Sequence, residues 1–496
     1  MAILKKGDCV EKELNKIKQE IKKQFGDSTD LVFRLIKTKE QELMYVYLES
    51  VTSDDKVSNF LMKDLGYYVR NKKEKNFDSL FHMLENSIYN SQLYIEENLE
   101  DIYYKLASGY TIIFIEGETK AISIETKANL NRGITESTSE TIVRGPKDGF
   151  NENYSANIGL IRKRIKTNKL WFKEHIVGRK TKTKVSVAFI EDVVDLKRVE
   201  KIEKIIDSID IDGVLDSGYI RDFLIEKNPS SLPKIKSSER PDVASTALLE
   251  GKIVILVENS PFVLITPTVL TDFIHTPEDY YQKTDNINFT RILRCLALFL
   301  TILTPAFYIA VTTFNQEMIP NELLISLAIQ QDGVPFPTAF EVIMMMITFE
   351  ILRESDIRIP SPMGAAISIV GALVLGDAAV SAGIVSPIVI IVVAITSICG
   401  LLFTDIDFVN ALRIWRLIFI IFATIAGLIG IVVAGIIFVT KLASVTTDEV
   451  PYLAPFSPLN FKALSDSVIL FPFNKLKYRP SYLAEKNQTK LGDQHE

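Results

Sequence analysis

The chain has 496 residues, of which 47% are hydrophobic and 24% charged, and its formal net charge is −6. This length is typical of two or three structural units, and an acidic balance gives no reason to expect binding to nucleic acid. The three cysteines are too few for a disulfide framework.

The first part of the chain predicts a soluble α/β region. Residues 1–29 have the pattern of a charged amphipathic helix. In residues 30–126, β-prone runs flank a stretch with helical spacing, which predicts a first small α/β subdomain. A polar, turn-rich link opens residues 127–290, where strand and helix patterns alternate again. We therefore expect two small α/β subdomains in succession.

The later part of the chain predicts an all-α, polytopic membrane domain. No lysine occurs between Lys283 and Lys441. A helix needs about 20 apolar residues to cross the hydrocarbon of a bilayer. We expect about four to six helical segments over residues 291–440, followed by a basic tail over 441–496. Four runs without charge support this: 295–316, 359–376, 378–404 and 417–440.

Charges beside these runs predict the orientation. The N-terminus lacks the apolar core of a signal peptide. Arg291 and Arg294 precede the first run, and Arg413 and Arg416 precede the last. Under the positive-inside rule the N-terminal region is cytoplasmic, and a cytoplasmic basic tail favours an even number of crossings.

Within the membrane part, residues 315–354 predict a short interfacial or re-entrant helix up to about Gln331. The helix is followed by a break at two close prolines, and a second helix is predicted over 338–353. Residues 363–403 are too long for one crossing, and Asp377 interrupts them. The run 417–440 is long enough to cross a bilayer, and its small residues at every fourth position let helices approach closely.

Motifs for catalysis, phosphate binding and metal binding are absent from the sequence. It contains no G-x-x-x-x-G-K-[ST], G-x-G-x-x-G or H-E-x-x-H pattern. The four histidines are far apart and form no metal-ligand spacing. We expect no enzyme activity, no cofactor and no metal.

Ionisable residues in the apolar part are the strongest functional candidates, because such residues usually face a cavity, a pore or a partner. Glu341 and Glu350 are nine residues apart, so they lie on opposite helix faces, and Glu350 could pair with Arg353. A helix at the membrane surface with solvated charges is the alternative. Asp377 marks either the tip of a helical hairpin or a polar ring in an oligomeric pore. The pore or gating candidates are Glu341, Glu350, Arg353, Arg358, Gly364, Ser368, Ala372, Gly376 and Asp377.

Two segments of the α/β region are also candidates. Residues 144–150 form a turn ahead of a basic helix, which suits either an anion-binding corner or a solvated connection. Residues 240–242 have the pattern of a helix start, with Asp242 as the cap. The candidates are Arg144, Gly145, Pro146, Gly149, Phe150, Arg162, Arg240, Pro241 and Asp242.

Several phrases occur in the order found in one bacterial family. Residues 140–150, 239–243 and 277–281 lie in the α/β region, and 350–354 and 369–380 lie in the membrane part. Together they resemble the A subunit of bacterial spore germinant receptors, the GerA family. The resemblance covers about residues 30–480.

This resemblance implies a multi-pass protein of the spore inner membrane with a cytoplasmic N-terminal domain. It implies that the protein functions in a complex with a permease-like B subunit and a lipoprotein C subunit. It also implies assembly into a homo-oligomer surrounded by membrane lipid. The predicted function is a nutrient-gated cation channel subunit that triggers germination, with the helix near Met363 lining the pore. The alternatives are an A-like protein associated with dipicolinate-channel components, a non-conducting scaffold and a secondary transporter.

Overall fold

The computed structural model describes residues 10–37, 42–58, 81, 93–129, 140–225, 230–358, 374–484 and 486–491. The chain divides into two units, and its last residues return to the first one. The head unit comprises Met1–Asn228, Ile235–Thr268 and Leu476–Glu496, and the membrane unit comprises Pro229–Lys234 and Val269–Lys475. The residues that we predicted to form one basic tail over 441–496 are thus shared between the units.

The first subdomain of the head unit is an antiparallel five-stranded sheet with helices packed on it. The strand order is β1-β2-β4-β5-β3. Helix α1 buries Leu14, Ile17, Ile21 and Phe25, whose spacing places them on one helical face. The elements are α1 (Leu14–Phe25), β1 (Leu31–Lys37), β2 (Glu42–Leu48), β3 (Leu93–Glu96), α2 (Leu99–Ala107), β4 (Tyr110–Ile115) and β5 (Ala121–Glu125).

The second subdomain repeats this plan with a second antiparallel sheet, in the order β6-β7-β9-β10-β8. Strand β9 is buried along its whole length because apolar residues pack on both faces. The elements are α3 (Tyr154–Arg164), β6 (Leu170–Val177), β7 (Thr183–Ile190), α4 (Leu196–Asp207), α5 (Ser217–Leu224), β8 (Lys236–Ser238), α6 (Pro241–Glu250), β9 (Ile253–Val257) and β10 (Val263–Thr266).

The membrane unit is helical, as predicted. Two of its described helices, α8 and α12, are long and apolar enough to cross a membrane. The predicted break between Gln331 and Thr338 is confirmed, since α9 ends and α10 begins at these residues. The helices are α7 (Leu270–Ile274), α8 (Thr284–Thr313), α9 (Asn321–Gln331), α10 (Thr338–Arg358), α11 (Pro387–Gly400) and α12 (Ile406–Ser444).

Helix α12 folds back on itself, a reversal that the charge-free run 417–440 did not indicate. The ring centroids of Trp415 and Phe438 are 4.8 Å apart, whereas 23 residues of straight helix would separate them by about 35 Å. The reversal falls at Ala426 and Gly427, where Gly427 has φ 59° and ψ −134°. Residues 406–425 and 428–444 therefore form two antiparallel arms.

The membrane unit has two ends, defined by the contacts of this hairpin. At the distal end, a Cβ added to Gly427 would lie 2.7 Å from Cβ of Phe314, just beyond α8. At the basal end, the ring of Phe273 stacks on Phe408 at 5.2 Å and lies 6.3 Å from Tyr452. The first arm of α12 thus begins at the basal end, and the second arm ends there. Helix α8 also begins at the basal end.

Candidate functional site

Glu341 joins two helices near the distal end of the membrane unit. It lies in the first turn of α10, is 1% exposed, and its Oε2 accepts the backbone N–H of Ser386 at 2.8 Å. Ser386 immediately precedes α11. A carboxylate at a helix N-terminus is stabilised by the helix dipole and the free N–H groups. Glu341 therefore fixes the start of α11 to the start of α10.

Other polar side chains extend this connection to α8 and α9. Nε2 of Gln331 donates to the hydroxyl of Tyr308 at 3.4 Å and to Oγ1 of Thr338 at 3.3 Å. Oγ of Ser386 is buried next to the hydroxyl of Tyr308. Four helices thus meet at a polar cluster, which we call the distal cluster: Tyr308, Gln331, Thr338, Glu341 and Ser386.

Glu350 forms ion pairs with α12. Its carboxylate lies 3.1 Å from Arg413 and 3.0 Å from Arg416, and the Arg416 side chain is largely buried. The sequence suggested Arg353 as the partner, one helical turn away. As the nine-residue spacing predicts, Glu341 and Glu350 face different neighbours, α11 and α12. Helix α10 is consequently tied to both.

The predicted pore residues are only partly described. Gly364, Ser368 and Ala372 lie outside the described residues, and Arg358 is described only as the last residue of α10. Residues 374–381 are helical; Gly376 is buried and packs against Ile390, while Asp377 is exposed.

Asp377 does not mark the tip of a hairpin. The helix continues beyond it to residue 381, and the chain turns at Gly383, which has a φ of +66°. A glycine supplies this left-handed conformation without steric cost. The reversal therefore comes six residues after the position that the sequence indicated.

A buried charge cluster at the basal end was not predicted as a cluster. Nε of Arg291 lies 2.9 Å from Asp279, and its Nη1 lies 2.9 Å from Asp466; Arg294 also pairs with Asp279. Sequence analysis identified only the two arginines, as signals of membrane orientation. Asp466 is 175 residues from Arg291, so no local spacing could have revealed the pair.

This basal cluster perturbs the pKa of two groups outside the membrane-spanning helices. Burial alone would raise the pKa of Asp279, but hydrogen bonding and charge from Arg294 and Arg291 outweigh it and lower that pKa. Burial, together with the charge of Arg291, lowers the pKa of His275 to about 4. The imidazole is therefore neutral at pH 7, and its Nε2 donates to the carbonyl of Ser467 at 2.6 Å.

In the head unit, Arg162 joins the two subdomains. Its side chain is fully buried and donates to Asp30 at 2.5 Å and 2.7 Å and to Ser28 at 2.9 Å. Asp30 directly precedes β1 of the first sheet. Burial would raise the pKa of Asp30, but the charge and hydrogen bonds of Arg162 lower it. Arg162 is thus no part of a solvated basic face.

The head segments 144–150 and 240–242 contact one another. Nη2 of Arg240 donates to the carbonyl of Pro146 at 2.8 Å and to Asp242 at 2.7 Å, and N–H of Phe150 donates to the carbonyl of Glu239 at 2.7 Å. Phe150 and Gly149 are buried, whereas Arg144, Gly145 and Pro146 are exposed.

The predicted cap of α6 is wrong. Helix α6 begins at Pro241, so Asp242 lies inside the first turn. Its carboxylate pairs with Arg240 and accepts the N–H of Val243 at 3.0 Å. Pro241 explains why the helix begins one residue before Asp242. Proline has no backbone N–H, so it suits the first helical position, where that group would lack a partner within the helix.

The fold and these clusters define a protein with a large α/β head unit and a helical membrane unit, each of which contains its own buried ion pairs. Residues 19–482 match the family model of the Bacillus/Clostridium GerA spore germination protein. The chain therefore belongs to the GerA family of spore germination proteins.

Two relatives of more than 30% identity agree with this assignment. The chain is 34% identical to spore germination protein KA of Bacillus subtilis (strain 168), over 95% of this chain and 87% of that protein. It is 33% identical to spore germination protein GerLA of Bacillus cereus, over 97% of each. A solved structure, the N-terminal domain of the A subunit of the Bacillus megaterium spore germinant receptor GerK3, matches with 27% identity and a TM-score of 0.43. That match covers 54% of this chain and 99% of the other.

Proposed function

We propose that this A-type subunit forms the ion-conducting part of a nutrient germinant receptor, as a homo-oligomer around a central pore. The observation that carries the proposal is Asp377, an exposed carboxylate on a helical segment of the membrane unit, one residue from the buried Gly376. A charge within a bilayer is costly unless it meets water or a partner. In an oligomer, one Asp377 from each copy would form a ring that favours cations.

The pore would be lined by the residues from about Met363, which lie outside the described residues, and by the helical segment 374–381 that includes Asp377. Gly376 packs against Ile390 of α11, and the adjacent Asp377 is exposed. This arrangement suits a pore helix, because one helix face packs on α11 and another faces the lumen. Copies of this segment would then approach one another around the axis.

Gating would reach this helix through α9 and α10. Glu341 joins α10 to α11, and Glu350 joins α10 to α12. A rotation of α10 would therefore disturb both neighbours at once. We propose that a permease-like B subunit binds the nutrient and moves this region, and that a lipoprotein C subunit completes the receptor.

The proposed location is the spore inner membrane, multi-pass, with the head unit in the cytoplasm. The long segment of the membrane unit, Val269–Lys475, is connected to the head unit at both of its ends. This connectivity supports an even number of crossings, and the basic flanks support a cytoplasmic head.

The test is ion release from spores that carry the complete receptor, with single substitutions along residues 364–383. Asp377→Asn should reduce nutrient-triggered cation release several-fold, because the ring loses its charge. Asp285→Asn, which makes the same change at an exposed carboxylate in the first turn of α8, should leave release unchanged. Leaky or blocked variants should recur every three to four residues.

Other results would favour the alternatives. If ion release is the same in all variants and the receptor still assembles, the protein is a non-conducting scaffold. Saturable, substrate-coupled flux by a monomer indicates a secondary transporter. Normal nutrient response with defective dipicolinate release indicates the A-like protein associated with dipicolinate-channel components.

A further inference from the structure

A groove of about 890 Å³ lies between α10 and the first arm of α12. Its long walls are apolar, and charged side chains line its basal end. The apolar walls are formed by Ile343, Met346, Ile347 and Ile351 of α10 and by Leu417 and Ile420 of α12.

Two carboxylates and two guanidinium groups line the basal end of the groove: Glu350, Glu354, Arg413 and Arg416. Arg353 lies beside this lining, and with it the cluster carries more positive than negative charge. Glu350 pairs with Arg413 and Arg416, and Arg353 lies within electrostatic range of Arg413, Glu350 and Glu354. Three guanidinium groups against two carboxylates leave one positive charge. Nε of Arg413 is buried without a hydrogen-bond partner among the described residues.

The charged end lies at the border of the apolar zone. On α12, the charge-free run 417–440 begins directly after Arg416. On α10, residues 342–349 carry no charge and lie on the distal side of Glu350. A phospholipid has the same arrangement, with a charged headgroup at the border and acyl chains on the apolar side. Basic pockets between membrane helices bind anionic headgroups in this way.

We propose that this groove binds one anionic phospholipid. Its phosphate lies against Arg413 and Arg416, and an acyl chain follows Ile347 and Leu417. The phosphate supplies the negative charge that the cluster lacks, through charge-assisted hydrogen bonds to guanidinium groups. A zwitterionic lipid carries its own cation and compensates the cluster less well. The bound lipid would hold α10 against α12 at their ion pair.

The test uses the purified, delipidated full-length chain in detergent, offered phosphatidylglycerol or phosphatidylcholine. Native mass spectrometry counts the lipids retained. The wild type should retain one phosphatidylglycerol with about a tenfold preference, the effect of one charge-assisted hydrogen bond. Arg413→Gln should lose the preference, and Arg413→Lys should keep most of it. Ile347→Trp, which fills the groove, should reduce retention of both lipids.

Two matched controls lie outside the groove. Lys475→Gln removes an exposed positive charge, and Ile436→Trp places the same ring on an exposed face of α12; both should retain phosphatidylglycerol as the wild type does. Equal retention of the two lipids by the wild type, or equal losses in Lys475→Gln and Arg413→Gln, would overturn the proposal. Disulfide cross-linking of Ile347→Cys between two copies would also overturn it, because the groove would then be a protein interface. If Arg413→Gln does not fold, the lipid retention of Arg413→Lys and Ile347→Trp still tests the proposal.

Discussion

At the scale of single residues, the buried His275 makes the stability of the protein depend on pH. Its pKa is lowered to about 4 by burial and by Arg291, whereas the unfolded chain has the ordinary value near 6.5. Between these values the unfolded chain binds more protons, so stability falls as the pH falls through this window. Asp279 contributes little there, because its lowered pKa keeps it ionised until the pH is below its usual range.

We therefore expect the detergent-solubilised protein to lose about 2 kcal/mol between pH 6.5 and pH 5 from this residue, seen as a lower unfolding temperature. His275→Gln keeps a donor for the carbonyl of Ser467 and cannot take up a proton, so its unfolding temperature should change less over this range. His175→Gln in the head unit is the control and should retain the acid sensitivity. An unchanged pH dependence in His275→Gln would contradict the assigned role.

The residue scale also shows what sequence reasoning could reach. The separation of Glu341 from Glu350 follows from helical geometry alone, and the structure confirms it. The partners do not follow: Arg416 is 66 residues from Glu350, and Asp30 is 132 residues from Arg162. Helical periodicity predicts which way a side chain faces, but the partner is set by tertiary packing.

At the scale of elements, the hairpin of α12 depends on two glycines. Gly427 needs a positive φ, and a Cβ on Gly430 would clash with the carbonyl oxygen of Phe422 in the opposite arm. Sequence analysis predicted a close approach of helices at the small residues spaced by four, but expected the neighbour to be a separate helix rather than the other arm of α12. A single glycine in an apolar run is a weak signal for a turn, because glycine is common in membrane helices.

Gly427→Ala should destabilise the membrane unit by about 2–4 kcal/mol, from backbone strain and the clash with Phe314. Gly435 lies in the second arm of the same hairpin, and a Cβ there meets nothing within 4 Å. Gly435→Ala should therefore leave the unfolding temperature almost unchanged, or raise it slightly by favouring helix. Thermal unfolding in detergent compares the two variants. Equal losses in both would mean that the turn at Gly427 is not required.

At the scale of the whole molecule, the chain leaves the head unit, builds the membrane unit and returns to complete the head core. Arg479 donates to the carbonyl of Leu249 at 2.7 Å, and Arg198 donates to that of Tyr482 at 3.1 Å. Ala484 is fully buried in the core of the second subdomain. The sequence showed only a polar, basic tail here, since the residues that contact it lie more than 200 positions earlier.

This return predicts that one residue near the C-terminus is essential to the head unit. Ala484→Asp would place a carboxylate in an apolar core and should cost more than about 3 kcal/mol. Lys486→Asp, two residues later, changes an exposed position and should cost little. Protease digestion of the full-length protein in detergent measures the difference: the head unit of Ala484→Asp should be cleaved much faster than that of Lys486→Asp. Because the segment Val269–Lys475 is connected to the head unit at both of its ends, loosening this contact weakens one of these two connections. Nutrient-triggered ion release should then weaken in Ala484→Asp even where the receptor still assembles, and equal digestion of both variants would refute the coupling.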